Sequence, residues 1–278
     1  MSEVERIDIA GASVGVWRDA PCLAGLRTAA LGSFACYDAA AGAAVLNEAM
    51  RRLAREGFGA VLGPMDGDTW SAHRLVVESD GSEPFLLEPH NPEHYPVAFE
   101  AAGFERVAGY VSSRAPVGAA PKALMVKHVR LRPFDVAYAA RDLSRLYRLA
   151  SQAFAANAFY KPIGEERFVT VYEPFLHALD PDLSFIAEDG NGDLVGFLFG
   201  YPNYAEGASP TASVIKTFAS IKPGVGAMLV RAAHIAAARR GYTHIVHALM
   251  HEANASLRLS RVLGGRPFRR YALWGKQL

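Results

Sequence analysis

The sequence predicts a mixed α/β fold, an α+β layer protein with a mixed sheet, divided into two unequal halves. Three observations predict it. Apolar residues recur at the helical period in some segments and as short β-branched runs in others, and the two kinds alternate along the chain. A pattern near residue 55 returns near residue 240, as an internal repeat would. Finally, 278 residues with 51% apolar and 21% charged suffice for one large core or two of about 140 residues each.

In order, the first half carries strand candidates at 12–17, 27–37 and 60–63 and a helix at 43–55. Val45, Leu46, Ala49, Met50 and Leu53 form one apolar face of that helix, Glu48, Arg51, Arg52 and Arg55 face outward, and Gly57 ends it. A linker is expected at 115–122, which holds Pro116, Gly118 and Pro121. The second half reads strand (124–131), helices (140–156 and 165–179) and strands (183–188, 194–200 and 213–220). A helix (224–239), a strand (244–250), a helix (254–263) and a closing strand (267–274) follow. Asp189-Gly190-Asn191-Gly192 tolerates positive φ and marks a hairpin turn. The repeat sets RRLAREGFGAVLGPM (51–65) beside AHIAAARRGYTHIVHALM (233–250), each a basic-ended helix, a glycine with an aromatic, a buried strand and a methionine. Asn91 and Asn254 then each open a helix.

Composition narrows the function classes. Lys+Arg 29 against Asp+Glu 28 leaves a net charge of +1, without the surplus a nucleic-acid partner requires. The first ten residues lack an apolar signal region and no run reaches about 18 apolar residues, so a cytoplasmic protein with no membrane partner is expected. Cys22 and Cys36 are too few for a disulfide framework and are expected as buried thiols. His244, His247 and His251 share a strand, but 244 and 247 point to opposite faces, and no metal is expected.

The chemistry concentrates at 213–240. A β-branched run ends in Lys222-Pro223-Gly224-Val225-Gly226 and opens a helix, so free backbone N–H groups and the positive end of the helix dipole converge on one point, suited to phosphate. Gly224 and Gly226 leave the amides uncovered, and Lys222 adds positive charge.

Strand, glycine turn, helix, strand and Asn254-led helix together resemble the GNAT acyltransferase superfamily over about 122–278. Its Gln/Arg-x-x-Gly-x-Gly/Ala signature aligns with Ile221-Lys222-Pro223-Gly224-Val225-Gly226; Ile221 replaces the polar residue and Pro223 removes one amide. The resemblance implies acetyl-CoA as co-substrate. Phe218, Ala219, Ser220 and Ile221 would contact pantetheine by their backbones beside a bulged, splayed strand; Lys222, Gly224, Val225, Gly226 and Ala227 would hold the phosphates, and Asn254 would lie near the pantetheine arm. It implies an acyl-CoA-dependent N-acyltransferase, acetyl being the expected acyl group, in which the neutral amine of a small molecule attacks the thioester directly. Glu206 and His247, with His251 and Glu252, are the candidate bases, and Ser260 stands near the position of the family's thiolate-protonating tyrosine. Ile221, Pro223 and the missing tyrosine keep a second reading open, a non-catalytic GNAT-fold module binding CoA or a metabolite. A third is an interaction protein pairing through its sheet edges as a homodimer.

In the first half, Gly63-Pro64-Met65-Asp66, Asn91-Pro92 with Tyr95 and Glu100, and Gly103-Phe104 resemble the first half of bacterial tandem GNAT proteins. Asn91 is expected to cap a helix beginning at Pro92. The resemblance implies two GNAT-like domains, a short or degenerate one at 1–114 and the acyltransferase domain at 123–278. The first half has only Ala41-Gly42-Ala43-Ala44 in place of a glycine turn and is expected to lack a coenzyme site. Asp66, Asp68, Trp70 and His73 are its candidate ligand residues, and Phe159, Tyr160, Tyr201 and Tyr204 are candidates for an aromatic acceptor wall.

Overall fold

The computed structural model describes residues 4–118 and 126–278. The first half runs β1 (Glu5–Ile9), β2 (Ala12–Trp17), β3 (Thr28–Cys36), α1 (Ala39–Arg55), β4 (Ala60–Gly63), β5 (Leu75–Ser79), α2 (His94–Ala101) and β6 (Glu105–Pro116). The second runs β7 (Val129–Pro133), α3 (Ala139–Phe154), α4 (Glu165–Leu176), β8 (Phe185–Asp189), β9 (Leu194–Pro202) and β10 (Ala212–Ser220). It ends with α5 (Val225–Arg239), β11 (His244–His251), α6 (Ala255–Val262) and β12 (Arg266–Gln277). The expected linker begins inside β6, which continues through Pro116, and residues 119–122 of it lie outside the described residues.

Helix α1 starts a turn earlier than its apolar stripe suggests. Asp38 Oδ1 accepts from the Ala41 amide at 2.8 Å and caps it there. Its buried face, Val45, Leu46, Ala49, Met50 and Leu53, is the expected one. Two expectations fail. Asn91 does not cap α2, whose N-cap is Glu93; its amide side chain bonds the Val76 backbone on β5 instead, Oδ1 accepting from the amide at 2.7 Å. Nor are the thiols buried, since Cys22 is exposed and Cys36 half-buried.

All described strands join one twelve-stranded sheet in the order β1-β2-β3-β4-β12-β6-β11-β10-β9-β8-β7, with β5 also on β12. The repeat is visible in the pairing. β3 and β4, flanking α1, run parallel, as do β10 and β11, flanking α5, while their other neighbours are antiparallel. The last strand of each half is exchanged, β6 pairing with β11 and β12 with β4. Fully buried Trp274 on β12 therefore stacks on Phe99 of α2, with centroids 5.6 Å apart, inside the first-half core. In the second half, neighbouring Val214 and Ile215 enter different cores, so α3 and α4 cover one sheet face and α5 the other.

Candidate active site

The parallel pairing of β10 and β11 runs only from Ala212↔His244 to Ile215↔His247. Beyond it β10 stays on β9 to Ser220 and β11 stays on β6 to His251, so the two strands part. Irregular registers sit at the fork, between Ile215 and Thr217 on β10 and between His247 and Met250 on β11, where Leu249 adopts φ 53°. The β11-facing backbone edge of residues 217–220 has no strand partner among the described residues. The bulge expected before the glycine turn is present, with Lys216 the extra residue.

At the far end of the fork, Gly224 takes a left-handed conformation, φ 83°, and caps α5. The Val225 amide bonds the Lys222 carbonyl at 3.3 Å, whereas the Gly226 and Ala227 amides meet no acceptor among the described residues. A Cβ at Gly226 would stand 3.2 Å from Ser220 Oγ and 3.4 Å from the Phe218 ring, so the close approach there suits glycine. Lys222 differs from its expected role, because its ammonium is engaged by Asp189 Oδ2 at 2.7 Å.

A cavity of about 620 Å³ opens at the fork. Ile215 to Phe218 and His247 to His251 line it from the two strands, Asn254 and Ser256 from the start of α6, and Phe154, Tyr160 and Tyr172 from the α3–α4 region. The first half closes the other side with 69–74, 87–89 and Tyr110. Trp70 and His73 thus lie in the wall, while Asp68 supports it, accepting from the Trp70 and Ser71 amides and pairing with Arg167 of α4 at 3.1 Å. Of the other aromatic candidates, Tyr160 lines the cavity; Tyr201 is buried with its hydroxyl on the Leu86 carbonyl, and Tyr204 stacks on it.

The candidate catalytic residues separate. Glu206 does not line the cavity. Burial works to raise its pKa, but hydrogen bonds from Asn203, Thr211 and Ala212 outweigh it and hold the carboxyl below its ordinary range. That carboxylate ties its own loop to the start of β10. Glu252 pairs with Arg270 at 3.0 Å. His247 and Ser260 are brought together, Nδ1 to Oγ at 2.8 Å, and His247 Nε2 meets His234 Nε2 at 3.0 Å. Burial and neighbouring His234 push the His247 pKa down to about 3, so it is a neutral link between α5, β11 and α6. His251 lines the cavity, but its Nδ1 accepts from the Ala253 amide at 3.1 Å, which leaves Nε2 carrying the proton in the neutral ring.

Two cavity residues carry no sequence motif. Lys216 donates from Nζ to the Leu87 carbonyl at 3.0 Å, and burial, with Arg74 nearby, pulls its pKa down to about 7. Arg74 donates to the Leu249 carbonyl at 3.3 Å and lies 4.1 Å over the Tyr110 ring.

The overall fold of this chain is shared by solved structures. A GCN5-related N-acetyltransferase from Sphaerobacter thermophilus aligns with 96% of this chain and 76% of its own, with TM-score 0.56 and 14% identity. A tandem GNAT protein from the clavulanic acid biosynthesis pathway aligns over 96% and 79%, with TM-score 0.52 and 13% identity. The fold is that of the GNAT superfamily. A conserved protein of unknown function from Enterococcus faecalis V583, described as a probable N-acyltransferase, aligns over 96% of the present chain and 59% of its own, at TM-score 0.57 and 11% identity. At such identities the likeness establishes the GNAT fold alone. No family model matches the sequence, and no curated protein is similar to it. No described helix is long and apolar enough to cross a membrane.

Proposed function

We propose that the protein is an acyl-CoA-dependent N-acyltransferase that acetylates a small-molecule amine. The observation that carries this reading is the parting of β10 from β11 over the glycine-led start of α5, with the cavity opening at the fork. The residues fit the coenzyme. Unpaired amides at Gly226 and Ala227 suit phosphate, with Lys222, Gly224 and Val225 shaping the turn, and the edge of Phe218, Ala219 and Ser220 suits pantetheine beside Asn254, whereas the Ile221 amide is committed to the Val195 carbonyl at 3.0 Å. Acyl-CoA supplies the thioester carbonyl. The chain's residues hold it at the fork, exclude water and take the amine's proton as the N–C bond forms and the C–S bond breaks.

Lys216 is the group suited to that proton. It lies at the fork, and a pKa of about 7 leaves a substantial fraction of the amine neutral at physiological pH. His247, with a pKa of about 3 and both ring nitrogens engaged, is too weak a base and acts with Ser260 to position β11. The first-half elements then form a coenzyme-free GNAT-like unit that completes the acceptor wall, and the second-half elements form the transferase unit, with β6 and β12 exchanged between them, in the cytoplasm. Calorimetric titration with acetyl-CoA, followed by thiol release with an amine panel, tests the reading. Absence of binding at millimolar coenzyme overturns it. One observation favours the non-catalytic alternative: the Ser260 hydroxyl is engaged by His247, so α6 offers no thiolate-protonating group there. Coenzyme binding with no turnover across the panel would establish that alternative.

A further inference from the structure

The cavity gathers several basic side chains against one acidic residue, Glu88, whose carboxylate is already held by Arg269 and the Tyr271 hydroxyl. His73 and Arg74 come from the first half, Lys216 from β10 and His251 from β11, and all four line it. The carboxylates nearby are already engaged. Glu88 is held by Arg269, the Tyr271 hydroxyl and the Phe85 amide, Glu252 by Arg270 and Asp68 by Arg167. Neither Arg74 nor Lys216 forms an ion pair among the described residues. Gathering like charges out of water is unfavourable unless a counter-charge arrives. The neighbours register this: burial and then Arg74 lower the pKa of Lys216, and those of His73 and His251 are lowered as well. Arginine does not deprotonate, so its charge persists.

Arg74 is also fixed in place. Its guanidinium rests on Tyr110, and one N–H goes to the carbonyl of Leu249, whose left-handed backbone is further pinned by its amide donating to Ser112 Oγ at 3.0 Å. The remaining guanidinium donors meet no acceptor among the described residues. Around this cation the walls are aromatic: Trp70, Phe154, Tyr160, Tyr172 and Phe175.

We propose that the acceptor is an amine that also bears a carboxylate on an apolar body, and that Arg74 is the residue that docks the carboxylate, leaving the amine beside Lys216. A planar guanidinium with free parallel donors matches a carboxylate in two-point fashion. This rests on the acyltransferase reading for the amine, while anion docking is measurable without coenzyme.

The test uses the full chain, free of coenzyme and at constant ionic strength, with phenylacetate and its neutral isostere phenylacetamide as probes. Binding is read from the change in tryptophan fluorescence, since Trp70 lines the cavity. Phenylacetate is expected to bind at least tenfold more tightly than phenylacetamide, and Arg74→Met to erase the difference. Equal affinities in the wild type, binding of neither probe, or a preference retained in Arg74→Met overturns the proposal. If Arg74→Met fails to fold, the wild-type comparison decides alone. Gly226→Glu separates the two readings: it is expected to keep phenylacetate binding while losing acetyl-CoA. Loss of both would place the anion at the start of α5 and overturn the docking role of Arg74. Failure of acetyl-CoA to bind the wild type, with phenylacetate selectivity intact, would overturn the transferase reading and leave the anion site standing.

Discussion

Asp66 Oδ1 accepts a hydrogen bond from the Ser33 amide at 2.6 Å, and so fills in the first half the fork that stands open in the second. A Cβ on Gly32 would collide with that same oxygen and with the Met65 carbonyl, which shows how closely 65–66 is seated against β3. The start of α1 is likewise occupied by the Asp38 carboxylate, where a phosphate would meet repulsion. One acetyl-CoA per chain is therefore expected by calorimetry. Asp66→Ala should destabilise the fold without raising that number, and a stoichiometry of two would refute the account.

Gly226→Glu puts a negative charge on the amides proposed for phosphate, within reach of Ser220 and Phe218. Acetyl-CoA binding should be abolished, while stability stays within about 1 to 2 kcal/mol of the wild type. Titration and chemical denaturation of the same sample check both halves of the statement. Retained binding would move the coenzyme elsewhere.

Lys216→Met should lower kcat/KM by about 100-fold or more, the usual share of a general base. Because the base is active when neutral, the wild-type rate should rise with pH through about 7 and level off above it. The variant's residual rate should lack that rise. An unchanged profile in Lys216→Met would exclude the lysine from proton transfer.

His247 links α5 and α6 in its neutral form, and its pKa near 3 lies below the ordinary 6.5. Between those values the unfolded chain binds more protons than the folded one, so stability is full above about 6.5 and falls as pH drops toward 3. From pH 6.5 to 5 the loss from this group is about 2 kcal/mol. Melting curves of the wild type and His247→Gln should show a shallower acid slope in the variant, even if its stability at pH 7.5 is lower.

Trp274 tests the strand exchange. It is the last strand's contribution to the first-half core, wholly buried against Phe99. Trp274→Ala should cost about 3 to 5 kcal/mol. Urea unfolding should still show one cooperative transition, since β12 and β6 knit the halves reciprocally. Two separated transitions would mean the halves are energetically independent.

The element order is legible in the sequence because local rules decide it. The apolar stripe at 45–53 makes a helix wherever it packs, the turn at 189–192 closes a hairpin, and Gly224 caps α5 whatever lies beyond. The glycine turn follows from the same local rules, whereas Lys222, expected to face a ligand there, is taken by Asp189, a partner 33 residues away in sequence. Glu206 and His247 illustrate the limit. Both are plausible bases as isolated residues, and only their partners reveal that one holds a loop and the other a buried link. Tertiary structure alone decides the exchange of β6 and β12, because strand partners are chosen by long-range pairing that leaves no local mark. It alone also brings Arg74 and Lys216, 142 residues apart in sequence, into one cavity whose carboxylate, Glu88, is already paired with Arg269. A sequence with a net charge of +1 shows neutrality, whereas the field at the fork depends on which carboxylates the folded chain has already paired.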